Sequence, residues 1–217
     1  MTGPSGSNVV ASGYCGTLGD VYYGDNVFWC LYNTGLLSIS GTDEMADFTT
    51  SSRPAPFAAY KDQITSVVIG EGVTHIGNNT FYGYSALKQA NLPDSLTTIG
   101  SGAFQGTGLT EIRIPEQVSI IDEAVFSDCS DLASVILPDN LTQIYPYAFD
   151  KCSSLHGIHI PETVRLIGSA SFHKTALETI RLPEGLAKIN QNVFNDCYEL
   201  KSITLPSTLT WIDEYSF

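Results

Sequence analysis

A repeat solenoid, with a parallel β-sheet on one face and short strands and turns on the other, is the fold the sequence predicts. Three observations predict it: a period of 22 or 23 residues from Ile64 onward, apolar residues at strand spacing in each period, and one phenylalanine at the same place in each. Taking Ile64, Leu87, Leu109, Leu132, Leu155, Leu177 and Leu200 as first positions, the steps are 23, 22, 23, 23, 22 and 23.

The strand comes first in each unit. Position four is Val67, Ala90, Ile112, Val135, Ile158, Ile180 and Ile203, and position six is Ile69, Leu92, Ile114, Leu137, Ile160, Leu182 and Leu205. Two apolar residues flanking a mixed one form the period-two signature of a strand with one buried face. Position seven is Gly70 and then Pro93, Pro115, Pro138, Pro161, Pro183 and Pro206. Proline has no amide to give to a ladder, so the strand ends there.

A second inward side follows. Position ten is Val73, Leu96, Val118, Leu141, Val164, Leu186 and Leu209, and position thirteen is isoleucine from Ile76 to Ile212. Position eighteen is Phe81, Phe104, Phe126, Phe149, Phe172, Phe194 and Phe217. A ring at every turn fills a coil too wide for aliphatic side chains alone. One unit cannot bury its apolar face, whereas a stack of units forms a continuous core. With parallel neighbours each coil advances the stack by about 4.8 Å, giving a rod or shallow arc of roughly 30 to 35 Å. An ordinary α/β domain gives no reason for a phenylalanine in every unit.

With the unit LTEIRIPEQVSIIDEAVFSDCSD as its signature, the chain resembles the BspA-like, or Treponema-type, leucine-rich repeats, also called type-5 leucine-rich repeats. The resemblance covers the repeats. It implies a right-handed solenoid without long convex helices. It also implies an exported, cell-surface protein of a bacterium that works by adhesion or binding, with no catalytic site.

Residues 1–63 lack the period. The start, MTGPSGSNVVASG, has no apolar run and no basic residue, so it is neither a secretory signal nor a membrane span. Residues 1–13 are read as a flexible leader, of the kind left when a secretion signal is removed. In 14–63, apolar stretches Val27 to Tyr32 and Leu36 to Ile39 flank Asn33-Thr34-Gly35, which predicts a β-hairpin capping the open end of the stack. This segment resembles a module that often precedes such repeats, through Trp29, Leu31, Gly35, Leu37, Ile39, Ser40, Gly41 and Met45. Residues 46–63 read as a connector whose Phe57 and Tyr60 pack on the first coil. The solenoid then runs from 64 to 217, its last unit stopping at position eighteen, as expected of a piece of a longer protein.

Ten basic against 23 acidic residues give a formal charge of −13. Such a surface repels phosphate backbones and anionic lipid, which excludes nucleic acid and direct membrane insertion as expectations. Cys129, Cys152 and Cys197 share position twenty-one, where Tyr84, Thr107 and Thr175 stand elsewhere, and are expected to be buried and reduced. A Cys129 to Cys152 disulfide would distort the stack. Cys15 and Cys30 fall outside this ladder and either staple the leader to the hairpin or remain unpaired. Cysteine usage leaves the compartment open.

No catalytic, cofactor or metal constellation emerges. His75, His156, His159 and His173 fall out of register and read as isolated surface histidines, and the glycine pairs lack a nucleotide-binding fingerprint. Asp122, Glu123, Asp213 and Glu214 read as solvated turn residues. Asn78-Asn79-Thr80 and Asn140-Leu141-Thr142 match the glycosylation pattern, which is common by chance.

Surface recognition remains. Position five runs Val68, Asn91, Arg113, Ile136, His159, Arg181 and Thr204, outward-facing and without a carboxylate. Sheet propensity alone also accounts for such a row. As a binding strip it centres on Arg113, Ile136, His159 and Arg181, with Glu111 and Thr179 beside them; the arginines would pair with partner carboxylates. Position twelve, with Ile120, Leu166 and Trp211, is a second candidate unless these residues tuck over the turns. The expected function is a non-catalytic protein- or glycan-binding module, its ligand including one from a host. The alternative is a structural spacer carrying another domain.

Overall fold

The computed structural model describes residues 6–18 and 21–217. Its cap is a meander of β1 (Val9–Leu18), β2 (Val21–Tyr32) and β3 (Leu36–Gly41), antiparallel throughout, followed by the short β4 (Asp43–Glu44). The hairpin turn falls at 33–35, where the Gly35 N–H donates to the Tyr32 carbonyl at 3.0 Å and Gly35 sits at φ 81°, as a residue without a Cβ can. The leader expected through residue 13 is corrected: residues 1–5 lie outside the described residues, and from Val9 the chain is already strand, because β2 offers it a free edge. The disulfide expected as one option between Cys15 and Cys30 is not formed. Cys30 lies opposite Ser12, three residues along β1 from Cys15, and Cys15 packs in the core.

β3 runs parallel beside the first coil, so the cap sheet continues into the solenoid. The first sheet is carried on by β5 (Ser66–Ile69), β7 (Gln89–Asn91), β9 (Glu111–Arg113), β11 (Ser134–Ile136), β14 (Thr179–Arg181) and β16 (Ser202–Thr204). The second, past the proline turn, is carried by β6 (Val73–Ile76), β8 (Thr98–Ile99), β10 (Ile120–Ile121), β12 (Gln143–Ile144), β13 (Leu166–Ile167), β15 (Lys188–Ile189) and β17 (Trp211–Ile212). Pairing is parallel and residue-to-residue in repeat register, as in Ile112↔Val135 and Ile180↔Ile203. Among the described residues the only helical turn is a short 3-10 turn at Ala58–Tyr60.

Between the sheets the phenylalanines stack. Centroids of Phe81, Phe104, Phe126, Phe149, Phe172, Phe194 and Phe217 follow one another at 5.1 to 5.8 Å, with ring planes within 20°. Phe57 extends the column at 5.8 Å from Phe81, and Trp29 closes it edge-on at 5.6 Å from Phe57. The outermost coil leaves Leu205, Ile212 and Phe217 exposed.

The turns carrying these rings need two left-handed residues per coil. Position sixteen has φ 53° to 63° from Asn79 to Tyr215, and position twenty has φ 57° to 73° from Gly83 to Asp196. Ala124, Tyr147 and Ala170 accept this conformation although they carry a Cβ. It aims the N–H groups of positions sixteen, eighteen and twenty at the next coil. Phe104, for instance, donates to the Val125 carbonyl at 3.0 Å and Phe172 to that of Val193 at 3.1 Å.

This corner edge is continuous, but the sheets are not. Both sheets break after the second coil, between β7 and β9 and between β8 and β10, and both break again after the fifth, between residues 157–159 and β14 and between β13 and β15. Those two coils are the ones of 22 residues, and the residue they lack lies between the phenylalanine and the next first position. Gly108 fills the shortened corner at the second coil; a Cβ there would lie 2.2 Å from the Ser85 carbonyl oxygen. In the fifth coil 157–159 form no strand, so the first sheet also parts after β11. Gly157, at position three of that coil, has no side chain to pack on the pleat.

Candidate binding face on the first sheet

The outer face of the first sheet gathers three of the six predicted contact residues. Arg113 and Ile136 lie directly opposite each other on β9 and β11, and Glu111 lies opposite Ser134. With Gln89, Ala90, Asn91 and Ile112 they line a depression of about 360 Å³ over the break between β7 and β9. A neighbouring hollow shares Ala90, Asn91 and Arg113 and runs on to Asp94 and Pro115. Ile136 is 57% exposed, and Arg113 has no ion pair or hydrogen bond among the described residues.

The other three residues lie apart, so the strip expected as one row is divided. His159 is exposed on the strandless segment of the fifth coil, and Thr179 and Arg181 stand on β14 beyond the second break. Arg181 is not free to meet a partner: its Nη2 lies 3.0 Å from Glu162 Oε1, which also accepts from its Nε at 3.3 Å. The Glu184 backbone N–H, and after it the Arg181 guanidinium, hold the Glu162 carboxyl below the usual range.

The second candidate row is mixed. Ile120, on β10, is half-buried, whereas Leu166 and Trp211 are exposed. Two histidines read as isolated surface residues are corrected. His173 is half-buried with Nδ1 2.6 Å from Oδ1 of the buried Asp150, and His75 Nδ1 lies 2.6 Å from Thr98 Oγ1. Repeat register places each beside a polar residue of the adjoining coil.

A row at position eight escaped the sequence reading: Glu71, Asp94, Glu116, Asp139, Glu162 and Glu184, all exposed. Glu71 accepts from the N–H groups of Asp94 and Ser95 at 3.0 and 3.2 Å, Glu162 from Glu184 N–H at 3.0 Å, and Glu184 from Ser207 N–H at 2.9 Å. These carboxylates cap the turn of the next coil. The signal was available as an acid directly after the strand-ending residue of six units. Part of the acidic excess therefore has a structural cause.

Among the described residues no helix is long and apolar enough to cross a membrane. A family model described as BspA type leucine rich repeat region matches the chain in six copies, across residues 55–175 and 131–217. Among solved structures, a leucine-rich repeat protein of T. pallidum is similar at 24% identity and a TM-score of 0.50, over 82% of this chain and 78% of that one. The pneumococcal vaccine antigen PcpA is similar at 16% identity and a TM-score of 0.52, over 86% of this chain and 70% of that one. Both likenesses speak for the fold alone. No curated protein matches.

Proposed function

Because the chain belongs to the BspA-type leucine-rich repeat family, we propose that it is a non-catalytic binding module of an exported bacterial cell-surface protein, taking a protein or glycan ligand on its first sheet. In this reading residues 14–63 cap the end of the stack and residues 64–217 present the binding face. The observation that carries it is the uncommitted Arg113 beside the exposed Ile136 in a depression of the sheet. A cation without a partner, next to exposed apolar surface, is what a partner carboxylate and a small apolar contact require.

Arg113 is the anchor, and Arg181, already held by Glu162, contributes less. A screen of the purified chain against matrix proteins and glycans tests this. Arg113→Glu should weaken capture of any ligand found at least tenfold while the thermal unfolding curve stays in place, and Arg181→Glu should weaken it less. Equal capture by wild type and Arg113→Glu would overturn the choice of face.

A spacer role has one observation in its favour: the ring column and the corner hydrogen bonds run without a break from the cap to the last coil. No captured ligand in the screen would favour it.

A further inference from the structure

We propose that the depression between β7 and β9 is a seat for a carboxylated sugar unit, the acidic residue of a glycan; this rests on reading the first sheet as the binding face. The seat exists because the coil 87–108 is one residue short. In a continuous parallel sheet the outer side chains of neighbouring strands stand about 4.8 Å apart and fill one another's space. Here β7 and β9 are not paired, and the space between their side chains opens to about 360 Å³, near the lower end of the size range of small-molecule sites. The opening is pinned from the side. Lys88 passes over Gly108, where no Cβ obstructs it, to reach Asp131 Oδ2 at 2.8 Å.

The lining selects the chemistry. Of the four arginines, Arg53 donates to the Asp47 carbonyl, Arg165 to those of Glu162 and Val164, and Arg181 to the Glu162 carboxylate; Arg113 alone keeps its fork for a ligand, and a carboxylate fits that fork. Gln89, Asn91 and Ser134 offer uncharged donors and acceptors, and Glu111 offers an acceptor two residues from Arg113, about 6.6 Å along the strand. A ring of hydroxyls bearing one carboxylate satisfies both ends. Ile136 supplies apolar contact for its C–H face. An acidic peptide would satisfy Arg113 but would find few apolar seats for its other side chains.

The test is a titration of the isotope-labelled chain, followed by its amide resonances, with N-acetylneuraminic acid, glucuronic acid, glucose and an acetylated glutamate peptide. Either acidic sugar should shift the resonances of residues 89–91 and 111–113, glucose should not, and Arg113→Gln should weaken the response at least tenfold. The inference is overturned by silence toward both acidic sugars, by an equal response to glucose, by a stronger response to the peptide, or by an unchanged response in Arg113→Gln. If the sugars fail while Arg113→Glu still loses a ligand from the screen, the binding face stands and the sugar seat falls. If the screen is also empty, both fall.

Discussion

The thiol of Cys129 donates to the carbonyl oxygen of Phe104, one coil earlier, at 3.1 Å, and the contact recurs from Cys152 to Phe126 at 3.1 Å and from Cys197 to Phe172 at 3.0 Å. Position twenty-one thus gives a second donor to a buried carbonyl that already accepts a backbone N–H, as Phe126 does from Cys129 at 3.2 Å. Threonine occurs there too, but the Thr175 hydroxyl donates to the Phe172 carbonyl of its own coil, at 2.9 Å. Replacing Cys152 by Val should therefore cost about 0.5–1.5 kcal/mol in denaturant titrations, since the Phe126 carbonyl keeps its bond from the Cys129 N–H, and Thr, which turns its hydroxyl to the carbonyl of its own coil, should cost a similar amount.

Burial also pushes the core thiols up, Cys129 in this ladder to about 11 and Cys15 in the cap to about 12, from an ordinary value of 9.0. The folded state disfavours the thiolate, so stability is intact below pH 9 and falls as pH rises through about 11. Alkylation of the native protein at pH 8 should proceed only as fast as it unfolds. Prompt modification of Cys129 would contradict its burial.

The ring column makes the cost of a core cavity depend on place. Phe126→Ala, between two stacked neighbours, should lower stability by about 3–5 kcal/mol. Phe217 is 54% exposed and has one ring neighbour, so its replacement by Ala should shift urea unfolding much less.

The period, the strand after six of the seven first positions, the phenylalanine column and the cap hairpin were legible in the sequence because each is written in apolar side chains. What the sequence concealed is carried by backbone. Ala124, Tyr147 and Lys151 give no sign of a left-handed conformation, since it is imposed by hydrogen bonds to the next coil. The steps of 22 residues were visible, but not that they would open both sheets. The contact strip was therefore read as one row, although Arg113 and Arg181 stand on separate sheet segments.

A left-handed residue with a Cβ costs about 1–2 kcal/mol, while glycine costs about 0.5–1 kcal/mol of chain entropy. Ala124, at φ 54°, is a clean place to weigh the two. Ala124→Gly should raise stability by up to about 1 kcal/mol, and Gly106→Ala, at φ 67°, should lower it by a similar amount. Opposite shifts in melting temperature would show it; equal losses would mean that the strain is absent.

The two breaks of the second sheet differ at position fourteen. At position fourteen the backbone N–H normally donates to the isoleucine carbonyl one coil earlier, as Tyr145 does to Ile121 and Asp213 to Ile189, at 2.8 and 2.9 Å. After the fifth coil that backbone bond is missing, and the Asn190 side-chain amide donates to Ile167 in its place at 2.7 Å. After the second coil the equivalent residue is Asp122, whose carboxylate offers acceptors where the Asn190 amide offers a donor. Asp122→Asn supplies the donor and should stabilise by about 0.5–1.5 kcal/mol, while Asn190→Asp should cost about as much. Hydrogen exchange would locate both effects: slower around residues 98–122 in the first variant, faster around 166–190 in the second. Because the first variant ties the second sheet shut behind Arg113, it also asks whether the opening over β7 and β9 depends on the break behind it.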